Sequence, residues 1–215
     1  MATRNALSTQ RIVDAAIEIL DEHGEDALTF RALAARLATG SGAIYHHIAD
    51  KNALLAAAAD TVVTRALAAG HDDAEPAAAI RSMALGLFDT FDAHPWVGAQ
   101  LHRRPWSALL QIVEGIGGRL GALGVPQRAQ FNSASALVNY ILGVAGQNAE
   151  NARSQIAGPA DRTAFLADVA AQWTRGDPAR YPFVHQVAAQ LADHDDRDQY
   201  VAGIDLILAG IEQLR

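Results

Sequence analysis

The chain contains no cysteine, which excludes a disulfide framework, a thiolate metal site and a cysteine nucleophile and leaves a reducing compartment as suitable as any other. Charged residues make up only 19% of the 215 and aromatics 6%, while half are hydrophobic, so a disordered or fibrous chain is excluded and one core or two small ones can be buried. Long apolar runs are missing as well. The richest, Ala136 to Gly146, is interrupted by Asn139 and is far too short for a bilayer, and Met1 to Ser8 hold no apolar leader core. A soluble cytoplasmic protein with no membrane partner is expected. Lysine is nearly absent, Lys51 being the only one. With 17 basic against 24 acidic residues the net charge is −7, a field that repels phosphate and excludes a protein that coats nucleic acid by bulk charge.

Catalytic signatures are also missing. There is no GxSxG, no GxxxxGKS/T, no GxGxxG after a strand and no carboxylate pair fixed on an apolar face. The histidines at 23, 71, 94, 102, 185 and 194 lack HxxxH spacing, and the adjacent His46 and His47 would point about 100° apart on a helix. The acidic run Asp193 to Asp198 reads as a solvated loop with a helix N-terminal charge bias. No enzyme activity, metal or cofactor is expected.

What is present is helix. The 46 alanines cluster beside Leu, Ile and Val, no alternating β-branched run is sustained, and Gly and Pro punctuate the chain, so an all-α fold of about nine or ten helices follows. A first helix from an N-cap at Ser8 or Thr9 carries Ile12, Ala16, Ile19 and Leu20 on one face and stops at Gly24. Thr29 caps a second, with Leu28 meeting Leu33 in a hydrophobic staple; it ends near Leu37. Ala38-Thr39-Gly40 allows only a tight turn, and Ser41 to Ile48 only two turns of helix. There Ile44 and Ile48 share the face toward Leu33 and Leu37, while Gly42, Ala43, Tyr45 and His46 line the opposite side. One anchored face and one small, polar, aromatic face suit a groove. Residues 29–51 are also the one clear basic excess, Arg31, Arg36 and Lys51 against Asp50.

Leu28-Thr29-Phe30-Arg31-Ala32-Leu33-Ala34, then Leu37, and above all Ala43-Ile44-Tyr45-His46-His47-Ile48-Ala49-Asp50-Lys51-Asn52-Ala53-Leu54-Leu55 resemble the TetR family of bacterial one-component transcription regulators. The resemblance implies an N-terminal three-helix helix-turn-helix DNA-binding domain over 1–51 and a larger C-terminal helical ligand-binding and dimerisation domain over 52–215, joined by a connecting helix over 52–67. It implies a recognition helix from Ser41 to His47, with Ser41, Gly42, Ala43, Tyr45 and His46 nearest the major groove, Tyr45 and His47 on backbone phosphate, and Thr29 and Lys51 on further phosphates. The family turn usually reads Gly-Val-Ser where this chain has Ala38-Thr39-Gly40, which serves a positive φ less well. Gly42 and Ala43 offer few hydrogen-bonding groups, so thymine-methyl contact and shape reading gain weight.

In the remaining chain, helices are expected near Pro76 to Ala93, Pro95 to Arg103, Pro105 to Leu123 and Pro126 to Arg153. Met83, Leu87, Phe91, Trp106, Leu109, Leu110 and Val113 face inward, around either a solid core or an apolar chamber. The mix of Trp96, His102, Arg104 and Trp106 at a helix junction, with Asn139 and Gln147 in an otherwise apolar helix, favours a chamber for a small apolar or aromatic effector. Arg104-Pro105 is similar to the equivalent junction of tetracycline-repressor relatives. Gln100, however, stands where those place a histidine, and Gln147 where a carboxylate would help hold magnesium, so a metal-chelated drug does not follow. Two helices show apolar recurrence suited to a homodimer, through Phe131, Val138 and Leu142 and through Ile204, Leu208 and Ile211; packing within one chain is the alternative. Together these features point to a homodimeric repressor on a pseudo-palindromic double-stranded DNA operator, released by a small molecule. A helical small-molecule binding protein without DNA reading remains the rival, and a cofactor-free enzyme using His102 a third.

Overall fold

The computed structural model describes residues 7–69, 75–101, 106–153, 159–191 and 194–215. Among them lie eleven α-helices and two short 3-10 turns, and no strand. The helices are α1 (Thr9–His23), α2 (Phe30–Arg36), α3 (Ser41–Tyr45), α4 (Lys51–Ala68), α5 (Pro76–Ala93), α6 (Pro95–Leu101), α7 (Trp106–Ala122), α8 (Gln127–Arg153), α9 (Pro159–Trp173), α10 (Pro182–Val187) and α11 (Asp196–Glu212). The 3-10 turns are Glu25–Ala27 and Ala188–Leu191. No helix among the described residues is long and apolar enough to cross a membrane.

The N-terminal caps form where side-chain chemistry demands them. Ser8 Oγ accepts the Arg11 N–H at 3.3 Å, Thr29 Oγ1 the Ala32 N–H at 3.1 Å and Asp50 Oδ1 the Ala53 N–H at 2.8 Å, each a bond whose loss costs about 1 kcal/mol. Gly24, at φ +76°, ends α1 and returns its N–H to the Leu20 carbonyl. Leu28 and Leu33 are both buried, as the staple requires. The third helix is shorter than the pattern suggests. It stops at Tyr45, and the His47 and Ile48 N–H groups both turn back onto the Ile44 carbonyl at 2.9 and 3.0 Å. Ile44 and Ile48 nevertheless stay buried. The positive φ of the α2–α3 turn falls on Ala38, at +50°, a conformation that costs a residue with a Cβ about 1 kcal/mol.

One buried cluster runs from Ile12 and Leu20 through Leu33 and Ile44 to Leu54, Ala58 and Val62 of α4, and on through Leu87, Ile112, Ile116 and Ile141 to Ile204 and Ile211. Helix α5 is central, packed on α4, α7, α8 and α11. The Tyr200 hydroxyl of α11 donates to the Ala84 carbonyl of α5 at 2.9 Å, and its ring lies against Phe88 and Tyr140 with centroids 4.9 and 5.5 Å away. Helices α6 and α8 meet backbone to backbone, since a Cβ on Gly98 would stand 2.3 Å from the Ala145 carbonyl oxygen. Only glycine fits such a crossing.

Packing corrects part of the interface expectation. Val138, Ile204, Leu208 and Ile211 are buried in this chain's own core and Leu142 is half-buried, because the apolar stripes on α8 and α11 are wider than one contact needs. Among the exposed large apolar side chains, Phe131 of α8, 80% exposed, Leu206 of α11, 75% exposed, and Leu214 just after α11 belong to these two helices or their end.

Candidate nucleic-acid interface

Helix α3 is held from behind by Ile44 and Ile48, while Gly42, Tyr45, His46 and His47 are exposed and Ser41 and Ala43 half-exposed on its outer side. Gly40 caps it with its backbone alone. The six positions of residues 41–47 expected to face a groove or its walls, together with Thr29, therefore lie on one three-helix unit, Lys51 follows at the start of α4, and none of them is buried. Tyr45 is not a loose side chain. It is 55% exposed, yet its ring lies flat on Phe30 of α2, with centroids 4.3 Å apart and planes 2° from parallel. Contact of this kind stabilises by about 0.5–1.5 kcal/mol beyond area burial and fixes where the hydroxyl points. His47 Nδ1 lies 3.5 Å from Thr9 Oγ1, which ties the end of α3 to the start of α1. Thr29 Oγ1 accepts a backbone N–H, and its own hydrogen remains to donate outward.

The cations behave differently from one another. Arg36 bonds the Glu18 carboxylate at 3.1 Å and also Glu22. That second bond holds the Glu22 carboxyl below its ordinary range and raises Arg36 in turn. Arg36 is thus neutralised by α1, so the basic excess of residues 29–51 is smaller than the sequence suggests. Arg31, in the first turn of α2, is exposed and has no ion-pair partner among the described residues; it belongs with the outward-facing set. Its position two residues after the Thr29 cap, inside the basic window, was the available signal. Lys51 is half-buried, and its ammonium donates to the Glu25 backbone carbonyl at 2.7 Å, leaving two of its three hydrogens for other acceptors.

The residues expected around an effector do not share one chamber. Met83 and Leu110 line a cavity of about 600 Å³ between α4, α5 and α7, with Leu67, Gln111, Glu114 and Arg119. Gln147 lines a second, of about 570 Å³, bounded by α8, α9, α11 and the α5–α6 junction at Asp92 and Pro95. Leu87 and Phe91 are fully buried in the core, whereas Leu110 and Val113, expected to face inward, are exposed. Asn139 is exposed on α8, so it is no isolated polar group in apolar surroundings. Trp96 turns away from both cavities, and its indole N–H donates to Asp21 of α1 at 2.7 Å. His102, Arg104 and the side chain of Trp106 lie outside the described residues. Among those described, no group of three or more His, Asp or Glu is placed to hold a metal ion.

Comparison with known proteins gives a consistent result. Residues 12–58 match the family model described as bacterial regulatory proteins, tetR family, and residues 71–215 the tetracyclin repressor-like C-terminal domain. The class D tetracycline repressor protein of Escherichia coli is 28% identical over 215 residues, covering 96% of this chain and 89% of its own. The structure of the transcriptional regulator SCO7222, a TetR from Streptomyces coelicolor, is 50% identical and superposes with a TM-score of 0.85 over 97% of this chain and 99% of that one. ActR of the same organism, solved in complex with actinorhodin, shares the fold at 22% identity, with a TM-score of 0.79 over 96% of each chain.

Proposed function

Because this chain belongs to the TetR family of bacterial regulatory proteins, we propose that it is a homodimeric repressor that reads a pseudo-palindromic operator through α3 and releases it when a small molecule occupies its regulatory half. The carrying observation is the bare outer side of α3 over a buried isoleucine pair. Residues 1–51 form the reading head and 52–215 the regulatory half, with α4 joining them.

Ser41, Gly42, Ala43 and His46 face base edges, and the scarcity of donors among them means that Ala43 reads by thymine-methyl contact and the helix by groove shape. Tyr45, His47, Thr29, Arg31 and the spare hydrogens of Lys51 hold phosphates, which set register without reading sequence. One small head binds weakly. Two heads about 34–36 Å apart double the contacts on a palindrome, and exposed apolar side chains of α8 and α11, Phe131 and Leu206 among them, pair the chains.

The effector is a small apolar or aromatic molecule with a polar handle, for the cavity beside Met83 and Leu110 is lined by apolar groups together with Gln111, Glu114 and Arg119. Release follows from linkage: a ligand that prefers the conformer with misspaced heads must itself be weakened by DNA, by the same factor. The protein has no catalytic role and acts in the cytoplasm, where its operator lies. Selection of random duplexes by the purified protein tests this reading. A palindromic consensus bound in a salt-sensitive way is the expected outcome. Absence of any specific duplex would sink it and leave a helical small-molecule binding protein.

A further inference from the structure

The head is fastened to the regulatory half by more than α4. At the start of α6, the Trp96 indole N–H donates to Asp21 Oδ1 of α1 at 2.7 Å, and His94 Nδ1 lies 2.7 Å from the same oxygen. One turn further along α6, the Gln100 amide, 7% exposed, donates to Glu25 Oε2 in the 3-10 turn after α1 at 2.9 Å. Glu25 is also the residue whose backbone carbonyl receives Lys51 of α4. The opposite side of α6 is fixed to α8 at Gly98. Pro95, between His94 and Trp96, forms part of the wall of the 570 Å³ cavity.

From this arrangement we infer that Trp96 and Gln100 of α6 are positioning residues for operator binding: they hold α1 and its following turn, and so the pitch of α3, while touching no DNA. The inference rests on the operator-reading proposal and adds to it a direct path from α6 to α1 beside the path through α4. The physical reason is preorganisation. A head held at two points along α6 samples fewer orientations, so the fraction of molecules with both recognition helices correctly spaced is larger, and apparent affinity scales with that fraction. Both bonds are partly shielded from water, where a broken donor–acceptor pair is felt more than at the surface.

The test uses full-length protein and the duplex selected above, in anisotropy titrations at several salt concentrations. W96F keeps the ring and removes the N–H donor; Q100E sets two carboxylates against each other; E25Q/Q100E exchanges donor and acceptor and restores the pair. W96F and Q100E are expected to weaken operator binding about three- to tenfold with the wild-type salt slope, because no phosphate contact is lost. The double exchange is expected to recover affinity to within about twofold. Wild-type affinity in both single variants, a reduced salt slope, or an exchange no better than Q100E overturns the inference while operator reading stands. Should Q100E melt below the assay temperature, W96F and D21A decide by the same criteria. A wild-type chain that binds no duplex specifically overturns both proposals together.

Discussion

Phe30 and Tyr45 stack face to face across the turn between α2 and α3, 4.3 Å apart and 2° from parallel, so the most prominent aromatic of the exposed face is held by a residue on a different helix. Removing Phe30 should therefore act on DNA binding without touching DNA. F30A is expected to weaken the operator complex by about 0.5–1.5 kcal/mol, the worth of an aromatic pair, and Y45F to cost a comparable amount by deleting the hydroxyl alone. Gel-shift titration of both variants measures this. Unchanged affinity in Y45F together with K51A sinks the assignment of the face.

Lys51 has one observed bond and one proposed phosphate contact, and the two separate experimentally. K51A is expected to lower stability by about 1.5 kcal/mol through loss of the charged bond to the Glu25 carbonyl. It should also weaken all duplexes alike, with the salt slope reduced by about one counterion. Changes at Ala43 or His46 should instead alter which sequences are preferred, as a competition against a randomised duplex pool would reveal.

Ala38, at φ +50°, adopts a backbone conformation that glycine enters without steric cost. A38G should raise stability by about 1 kcal/mol and move the melting temperature upward by a few degrees. A decrease in thermal melting would show that the turn is not strained.

Gly98 and Gly117 make a matched pair. A Cβ at 98 meets the Ala145 carbonyl oxygen at 2.3 Å, whereas one at 117 meets nothing within 4 Å. G98A is expected to destabilise by about 1–3 kcal/mol through overpacking; G117A, in mid-helix, should stabilise by about 0.5–1 kcal/mol. Urea unfolding of the two variants checks the opposite signs.

Burial pushes the Tyr200 hydroxyl far above its ordinary pKa. Since the folded value exceeds the unfolded one, the stability tied to the neutral phenol is complete below about pH 10, the unfolded value, and is lost progressively as pH rises beyond it. Y200F should cost about 1 kcal/mol at neutral pH by removing the bond to the Ala84 carbonyl, and should flatten the alkaline loss in unfolding curves taken from pH 8 to 11.

The local rules were readable in the sequence. Ser8, Gly24, Thr29 and the Leu28–Leu33 staple sit where caps and periodicity put them, because those devices involve residues at most five apart. The buried side of α3 was legible for the same reason. What the sequence hid depends on distant packing. Trp96 and Gln100 carry no local sign that they point at α1 and the turn after it, more than seventy positions earlier. Asn139 lies in an apolar helix and still faces water, since a helix with two apolar stripes does not announce which polar residue lies between them. On α11, Ile204, Leu206, Leu208 and Ile211 are all large and apolar in sequence, and only the positions of α5 and α8 decide that Leu206 is left outside. The charge of Arg36 was visible but its neutralisation by Glu18 and Glu22 was not.

The contact at Gly98 has a consequence for how the molecule can vary. Where Gly98 settles against the backbone and Cβ of Ala145, the spacing at that point depends on no long side chain, so replacing residues elsewhere along either rod reshapes the surrounding walls while the fulcrum stays put. A lever with a fixed pivot keeps its arm length whatever is pushing on its far end. Under the proposed regulation, chains built this way would exchange one trigger molecule for another while keeping the same pivot between α6 and α8.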